Sequence, residues 1–311
     1  MLAAEIALGR VEAPGWAALV PSWPDLEAAV PFAWPEALRE ALPCEARRLV
    51  AAQEARFRRD WQLFEPAFPG TGRQQYAHAW FLVGTRTFYY ETAETMLFPW
   101  SDRLALLPVA DLFNHAPAGC LVSYSPDGYT VTADRPYPAG AELFISYGSH
   151  SNDFLLAEYG FLLRDNACDR VCLDDLILPK LPDDLKAELD ERDVLGNFVL
   201  DPRSGICSRT RLAVRLLSCP PSQSRHEWQH LIDEAEHEDD EHVEASASRL
   251  LLTLLGEYLD TIDAIQTRLQ KRRLGNDSQR ALLAQRWRQI EAMVRQAAET
   301  GGRGGLKERH S

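Results

Sequence analysis

The stretch Pro108–Gly119, PVADLFNHAPAG, continues an apolar run, adds polar side chains and then turns. The run LALLPVADLF at 104–113 is continuous in apolar residues, which is typical of a buried strand. The Pro and Gly residues after it favour a turn. Polar side chains at the end of a buried strand indicate a ligand-binding or catalytic site. The polar residues concerned are Asp111, Asn114 and His115.

The residues after this stretch also predict strands. The segment CLVSYSPDGYTVTA at 120–133 has two alternating runs joined by Pro-Asp-Gly, as in a β-hairpin. The segment YPAGAELFISYG at 137–148 contains another turn and a strand that ends at Tyr147. A short helix follows, for which Ser151 is an N-cap candidate and Gly160 suits the C-terminus.

Helices flank the strands on both sides, so the chain is expected to have an α+β fold. Apolar residues at helical spacing indicate them. Asp277 or Ser278 is expected to cap the last helix, which forms a helical hairpin with the one before it. The predicted helices cover residues 2–8, 44–64, 75–93, 242–273 and 279–299.

Composition limits the partners of the chain. Its 311 residues are 46% hydrophobic and 25% charged, as in a globular protein with room for two domains. The formal net charge of -13 disfavours phosphate contacts, so no nucleic acid is expected, whereas a basic protein segment is. No apolar stretch approaches the ~18 residues of a membrane helix, and the N-terminus lacks a signal peptide's basic region. Six scattered cysteines fit a reducing compartment.

The residues alone leave several interpretations of the polar cluster open. Asp111 and His115 are four residues apart, but no further ligands stand out nearby, so no metal is expected. Cys120 and His115 could form a nucleophile–base pair, although no orienting group is visible. His115 could also be a core histidine with satisfied hydrogen bonds. Cys168 and Cys172 lack a second pair, so a zinc site is not expected there either.

Two motifs, PVADLFNHA and PAGAELFISYGSHSNDFLLAEYGF, resemble the C-terminal half of the SET domain. The subclass they resemble is the Rubisco-methyltransferase-like group, in which an Asn-His pair ends one strand and a later strand closes on a Tyr. The resemblance implies a partial SET β-core with a helical insertion, followed by a mainly helical C-terminal domain. The implied boundaries are a SET domain at 1–165 (insertion about 10–95, core strands about 104–163), a helical substrate-binding domain at 166–300 and a disordered tail at 301–311.

The resemblance also implies roles for individual residues. Tyr147 matches the tyrosine whose hydroxyl lies beside the transferred methyl group, and it is the implied catalytic residue. Arg86 matches a helix arginine that meets the carboxylate of S-adenosylmethionine, the implied cofactor. The other implied cofactor-binding residues are Asp111, Asn114, His115, Tyr159, Gly160 and Phe161.

The chemistry of methyl transfer fits these residues. Transfer from a sulfonium to an amine is an in-line displacement that requires positioning in a water-poor channel. A lysine must first lose its proton, and desolvation in an apolar channel lowers its pKa. Aromatic walls suit both the sulfonium and the lysine stem. We therefore expect a protein-lysine N-methyltransferase that acts on a non-histone protein.

The expected substrate is a basic or ribosome-related protein with an exposed Lys, or a His. The chain is expected to be a monomer of the cytoplasm or nucleus, bound to no membrane. The family's N-terminal strands, with their Gly-x-Gly turn, have no counterpart in this sequence. The alternative is therefore a catalytically inactive SET-like module that binds a basic protein segment without transferring methyl.

Overall fold

A computed structural model describes residues 1–301 apart from 12, 126–127, 202, 204, 219–227, 230–231, 233–240 and 272–273. The helices are α1 (Leu2–Ala7), α2 (Pro14–Ala17), α3 (Trp23–Ala29), α4 (Glu36–Arg39), α5 (Cys44–Ala67), α6 (Arg73–Arg86), α7 (Asn152–Tyr159), α8 (Asp174–Ile177), α9 (Asp183–Glu191), α10 (Ser208–Ser218), α11 (Glu241–Lys271) and α12 (Asp277–Gly301). The strands are β1 (Thr87–Tyr89), β2 (Leu104–Leu106), β3 (Asn114–Ser125), β4 (Gly128–Thr132), β5 (Phe144–Ile145), β6 (Val171–Cys172), β7 (Val199–Asp201) and β8 (Gly205–Ile206).

The chain divides into two compact units. Unit 1 contains residues 1–34 and 48–168, and unit 2 contains residues 35–47 and the described residues from 169 onward. Unit 1 holds a two-stranded sheet, β1-β2, and a three-stranded sheet in the order β4-β3-β5. Unit 2 holds the sheet β6-β7-β8. Both units combine helices with small sheets, and the predicted α+β class is confirmed. The domain boundaries implied by the resemblance stay a prediction.

An aromatic core holds the helical part of unit 1 together. Phe57 and Phe64 lie two turns apart on α5, on the same face of the helix, and both are buried. The ring of Phe64 stacks on Tyr76 of α6 with centroids 4.2 Å apart, and Phe57 meets Trp80 edge-to-face at 5.7 Å. This core fixes α6 and with it the position of Arg86, the last residue of that helix.

Strands β3 and β5 pair in parallel at a very close approach. Asn114 pairs with Phe144, and the register then shifts so that both His115 and Cys120 face Ile145. A Cβ atom added at Gly119 would lie 2.8 Å from the carbonyl carbon of Phe144 and closer still to its oxygen. A backbone approach this close requires glycine. It brings the start of β3 beside the residues that follow β5.

The helix predicted over 75–93 is too long. Helix α6 ends at Arg86, and the next three residues form β1. Thr87 pairs with Leu106 and Tyr89 with Leu104 in an antiparallel ladder. β-branched and aromatic residues favour strands, and this pairing overrides the helical spacing of the apolar residues before them.

The strand expected from the apolar run at 104–113 is also shorter than predicted. β2 ends at Leu106, and a 3-10 turn forms at Ala110–Leu112. Val109 has φ 80° and ψ -49°, a conformation that residues other than glycine rarely adopt, and it redirects the chain. The Asn-His pair therefore begins β3 rather than ending a strand.

Other local predictions are confirmed. The hairpin forms from β3 and β4, with Tyr124 opposite Tyr129, while its Pro126-Asp127 turn lies outside the described residues. The backbone N–H of Phe154 donates to Ser151 Oγ at 3.2 Å, which caps α7. Gly160 ends this helix at φ 78°.

Unit 2 contains the two longest helices. Gln266 on α11 donates to Glu291 on α12 at 2.8 Å. The cap of α12 is neither Asp277 nor Ser278, because Asn276 accepts from the N–H of Gln279 and Gln279 accepts in return from Asn276. This reciprocal pair is a capping box. The tail predicted at 301–311 lies outside the described residues apart from Gly301.

Among the helices that the structure describes, none has the length and apolar composition needed to cross a membrane.

Replacing Gly119 by Ala is expected to lower the free energy of unfolding, because the new methyl group meets backbone atoms of β5. We expect a loss of about 1–3 kcal/mol, as for overpacked cores. The matched control is Gly84→Ala within α6, where an added Cβ meets nothing within 4 Å. The control should be neutral or stabilised by up to about 1 kcal/mol. Urea titration of the two variants measures both values. Equal stability of G119A and the unaltered chain would contradict the close approach of β3 and β5.

Candidate active site

One pocket of unit 1 gathers several residues singled out in the sequence. Its volume is about 190 Å³. It is lined by the end of α6, by β1, by the turn before β3, by β3 and β4, by β5 with the residues after it, and by the end of α7. Of the predicted site residues, the lining includes Arg86, Asp111, Tyr147 and Tyr159.

A buried ion pair forms the polar end of this pocket. Arg86 Nη1 lies 3.2 Å from Asp111 Oδ2 and donates to the Asp111 backbone carbonyl at 2.9 Å. The Asp111 side chain is fully buried. Trp16 Nε1 donates to the same Oδ2 at 2.6 Å. Breaking such a pair by removing one partner costs about 3–5 kcal/mol.

Two further polar atoms of this ion pair have no partner within the described residues. Asp111 Oδ1 and Arg86 Nε are buried and have no hydrogen-bond partner in the described part of the chain. Both residues line the pocket. Buried polar groups without partners are costly, and these two atoms belong to residues that line the same end of the pocket.

Tyr147 lies at the aromatic side of the pocket. Its hydroxyl donates to the backbone carbonyl of Phe113 at 2.7 Å. Burial raises the pKa of the Tyr147 phenol, while Arg86 opposes this rise. The ring of Tyr159 lies 5.1 Å from that of Tyr147, and burial raises the pKa of Tyr159 to about 12. Both phenols therefore remain uncharged at neutral pH.

His115 supports Tyr147 from the side of β3. The backbone N–H of Tyr147 donates to His115 Nδ1 at 3.0 Å, and the two rings stack with centroids 5.1 Å apart. Burial lowers the pKa of His115; a hydrogen bond with the backbone of Ile145 opposes this fall, and the neighbouring His150 adds to it. A neutral imidazole is needed here, because a protonated Nδ1 cannot accept a hydrogen bond. The interpretation of His115 as a satisfied histidine thus holds for its Nδ1 atom.

The remaining predicted residues are placed differently. Asn114 is exposed and its amide donates to Glu142 at 2.6 Å, so its side chain does not line the pocket. Gly160 is packed against Ala29, where an added Cβ would lie 2.8 Å from the Ala29 Cβ. The ring of Phe161 lies 6.4 Å from Tyr147, next to the pocket lining.

Sequence reasoning missed two residues of the site. Trp16 precedes Asp111 by 95 residues, and nothing in its local sequence points to a distant carboxylate. Tyr129 lines the pocket from β4, and burial raises its pKa to about 12. The alternation of the predicted hairpin could have placed Tyr129 on a defined face, but not against this pocket.

A comparison with solved structures shows that the chain has the fold of Rubisco LSMT. "Structure of Rubisco LSMT bound to AdoMet" matches with a TM-score of 0.60 at 16% identity, over 97% of this chain and 73% of that one. "Crystal structure of the SET domain of LSMT bound to MeLysine and AdoHcy" matches with a TM-score of 0.59, over 96% of this chain and 73% of that one.

Sequence relatives point to the same class of protein. The chain is 27% identical over 183 residues to ribosomal lysine N-methyltransferase set11 of Schizosaccharomyces pombe, covering 58% of this chain and 46% of that protein. It is 24% identical over 235 residues to ribosomal lysine N-methyltransferase 2 of Saccharomyces cerevisiae, covering 60% and 49%. The chain thus spans about half the length of these curated relatives. No protein-family model matches it. The resemblance to SET-domain methyltransferases of the Rubisco LSMT type is confirmed.

The lowered pKa of His115 predicts a pH dependence of stability. Between the folded pKa and the unfolded value of 6.5, the unfolded chain binds more protons. The contribution of His115 is therefore complete above pH 6.5 and is lost as the pH falls through the folded pKa, with a slope of at most about 1.4 kcal/mol per pH unit. His115→Asn keeps an acceptor near Nδ1 and removes the titration. Unfolding free energies measured from pH 8 to pH 5 should fall less steeply for this variant. Identical slopes would contradict the burial of a neutral His115.

Proposed function

We propose that the chain is an S-adenosylmethionine-dependent protein-lysine N-methyltransferase acting on a non-histone protein. The observation that carries the proposal is the pocket in which a buried Arg86–Asp111 pair with unsatisfied atoms lies beside the uncharged Tyr147. The fold shared with Rubisco LSMT and the lysine methyltransferases among the relatives support it.

The residues present fit the cofactor. S-adenosylmethionine carries an amino-acid end with both an ammonium donor and a carboxylate acceptor, and when bound it supplies an electrophilic methyl group. Asp111 Oδ1 would accept from the ammonium, and Arg86 Nε would donate to the carboxylate. We also propose that Phe161 and Tyr159 contribute aromatic surface, while the backbone at Asn114 and Gly160 contributes shape rather than side-chain contacts.

Tyr147 would position the substrate amine. Its proton is already donated to Phe113, so the lone pairs of the phenol oxygen remain available to accept an N–H from the incoming amine. Because burial raises its pKa, the phenol keeps this arrangement throughout the neutral range. His115 holds the backbone of Tyr147 in place.

The aromatic walls would exclude water from the amine. The rings of Tyr129, Tyr147 and Tyr159 line the pocket and are uncharged at neutral pH. A lysine amine that enters the pocket between these rings loses part of its hydration, which lowers the pKa of the amine and favours its neutral, nucleophilic form. No strong general base is then needed, and the aromatic walls would also attract the sulfonium cation of the cofactor.

The substrate would be a basic protein segment, in keeping with the net charge of -13. Two relatives are named as ribosomal lysine methyltransferases, which makes a ribosomal protein the first candidate. We place the activity in the cytoplasm or nucleus. The second candidate function, a SET-like module that binds without transferring methyl, is distinguished by the two experiments below.

Calorimetry should detect binding of S-adenosylmethionine and a loss of affinity in Arg86→Lys. Lysine keeps the positive charge but cannot present Nη1 and Nε together. We expect affinity to fall about tenfold or more, as for a lost hydrogen bond to a charged group. The matched control is Arg56→Lys, a half-exposed residue paired with Glu158 on the surface. No heat of binding at millimolar cofactor would favour the non-catalytic module. Equal affinities of R86K and the unaltered chain would show that Arg86 does not bind the cofactor.

Transfer of labelled methyl into basic lysate proteins should be lost in Tyr147→Phe. The variant removes only the oxygen that orients the amine, and we expect a fall of about 100-fold or more. Tyr124→Phe is the matched control, because Tyr124 is exposed on β3 and does not line the pocket. Cofactor binding should be unchanged in both variants. Wild-type rates in Y147F would rule out the proposed role of Tyr147.

A further inference from the structure

Unit 2 contains two buried cysteines in direct contact. Cys172 Sγ donates to Cys44 Sγ at a distance of 3.1 Å. Cys44 is 9% exposed and Cys172 is 6% exposed. The two residues are 128 positions apart in the chain, on the first turn of α5 and in β6. We propose that Cys44 and Cys172 form a reversible disulfide when the protein meets a hydroperoxide.

The surroundings favour a thiolate at Cys44. Cys44 is the first residue of a 24-residue helix, whose N-terminal dipole stabilises negative charge. The S–H of Cys172 also donates to it, which lowers the pKa of Cys44, and the same contact raises the pKa of Cys172. Burial and the carboxylates of Asp174 and Asp175 oppose the thiolate, but the pKa of Cys44 remains lowered, and Arg47 lies 2.5 Å from Asp175, where it offsets part of that charge.

The reaction balances with one hydroperoxide. The Cys44 thiolate attacks a peroxide oxygen, the O–O bond breaks, and Cys44 becomes a sulfenic acid while the leaving alkoxide or hydroxide takes up a proton. Cys172 then attacks the sulfenic sulfur, the S–S bond forms, and water leaves with the Cys172 proton. Two thiols are oxidised, and the peroxide is reduced to water and an alcohol, or to two waters.

The same cysteines belong to a group that could hold a metal ion, with Asp174 as the third side chain. The carboxylate of Asp174 already accepts from the backbone N–H of Phe198 at 2.7 Å and of Asn197 at 3.2 Å. Coordinating a metal would compete with these bonds, whereas a disulfide leaves them intact. A structural zinc site also needs four ligands, and this group offers three. The geometry therefore favours a disulfide.

The bond would close a large loop of the chain. Residues 45–171 lie between the two cysteines in sequence and include every residue of the candidate active site except Trp16. Cross-links that close long loops restrict the unfolded chain most. Oxidation should therefore make the protein harder to unfold, independently of whether the chain transfers methyl.

The experiment treats the native, reduced chain with one equivalent of hydrogen peroxide, alkylates the free thiols and maps the peptides without reduction. We expect a Cys44–Cys172 linked peptide, an intact mass lower by about 2 Da before alkylation, and reversal by dithiothreitol. The urea midpoint of the oxidised chain should rise and return on reduction. Cys168→Ser is the matched control, since Cys168 is exposed and should not affect the link.

Three results would overturn the proposal. The first is full alkylation of both cysteines after oxidation. The second is a disulfide to another cysteine. The third is stoichiometric zinc in the purified chain that Cys172→Ser removes. The peptide map uses the unaltered protein, so it shows whether the Cys44–Cys172 disulfide forms even if Cys172→Ser fails to fold.

Discussion

Backbone atoms of β3 and β5 approach each other at Gly119 so closely that no side chain fits between them. This approach places the residues that begin β3 beside those that follow β5. The N–H of Tyr147 can then bond to His115, and its hydroxyl can bond to Phe113. A larger residue at position 119 would push β3 and β5 apart and so separate His115 and Phe113 from Tyr147.

The buried Arg86–Asp111 pair links this strand crossing to the helical part of unit 1. Trp16 and Arg86 both bond to one carboxylate oxygen of Asp111, and the other oxygen has no hydrogen-bond partner among the described residues. Packing of α5 against α6 through aromatic rings holds Arg86 at the end of its helix. The aromatic core between α5 and α6 does not line the pocket, but it fixes the position of the Arg86 guanidinium.

Several elements of unit 1 could be predicted from the sequence, because short stretches of neighbouring residues determine them. The cap at Ser151, the stop at Gly160 and the β3–β4 hairpin each depend on a few neighbouring residues. What could not be predicted depends on long-range contacts. The end of α6 is decided by pairing with β2, the bond from Trp16 spans 95 residues, and Asn114 turns out to bond to Glu142. The cysteines show the same limit, because spacing suggests Cys168 as the neighbour of Cys172, whereas the fold brings Cys44 to it.

We propose that S-adenosylmethionine binds in unit 1 between the Arg86–Asp111 pair and Tyr147. Hydrogen–deuterium exchange with and without the cofactor can locate this binding site without relying on a variant. We expect slower exchange in peptides that contain residues 85–89, 111–115 and 145–161, and little change elsewhere. Unchanged exchange in these peptides at millimolar cofactor, or protection confined to unit 2, would contradict this proposal.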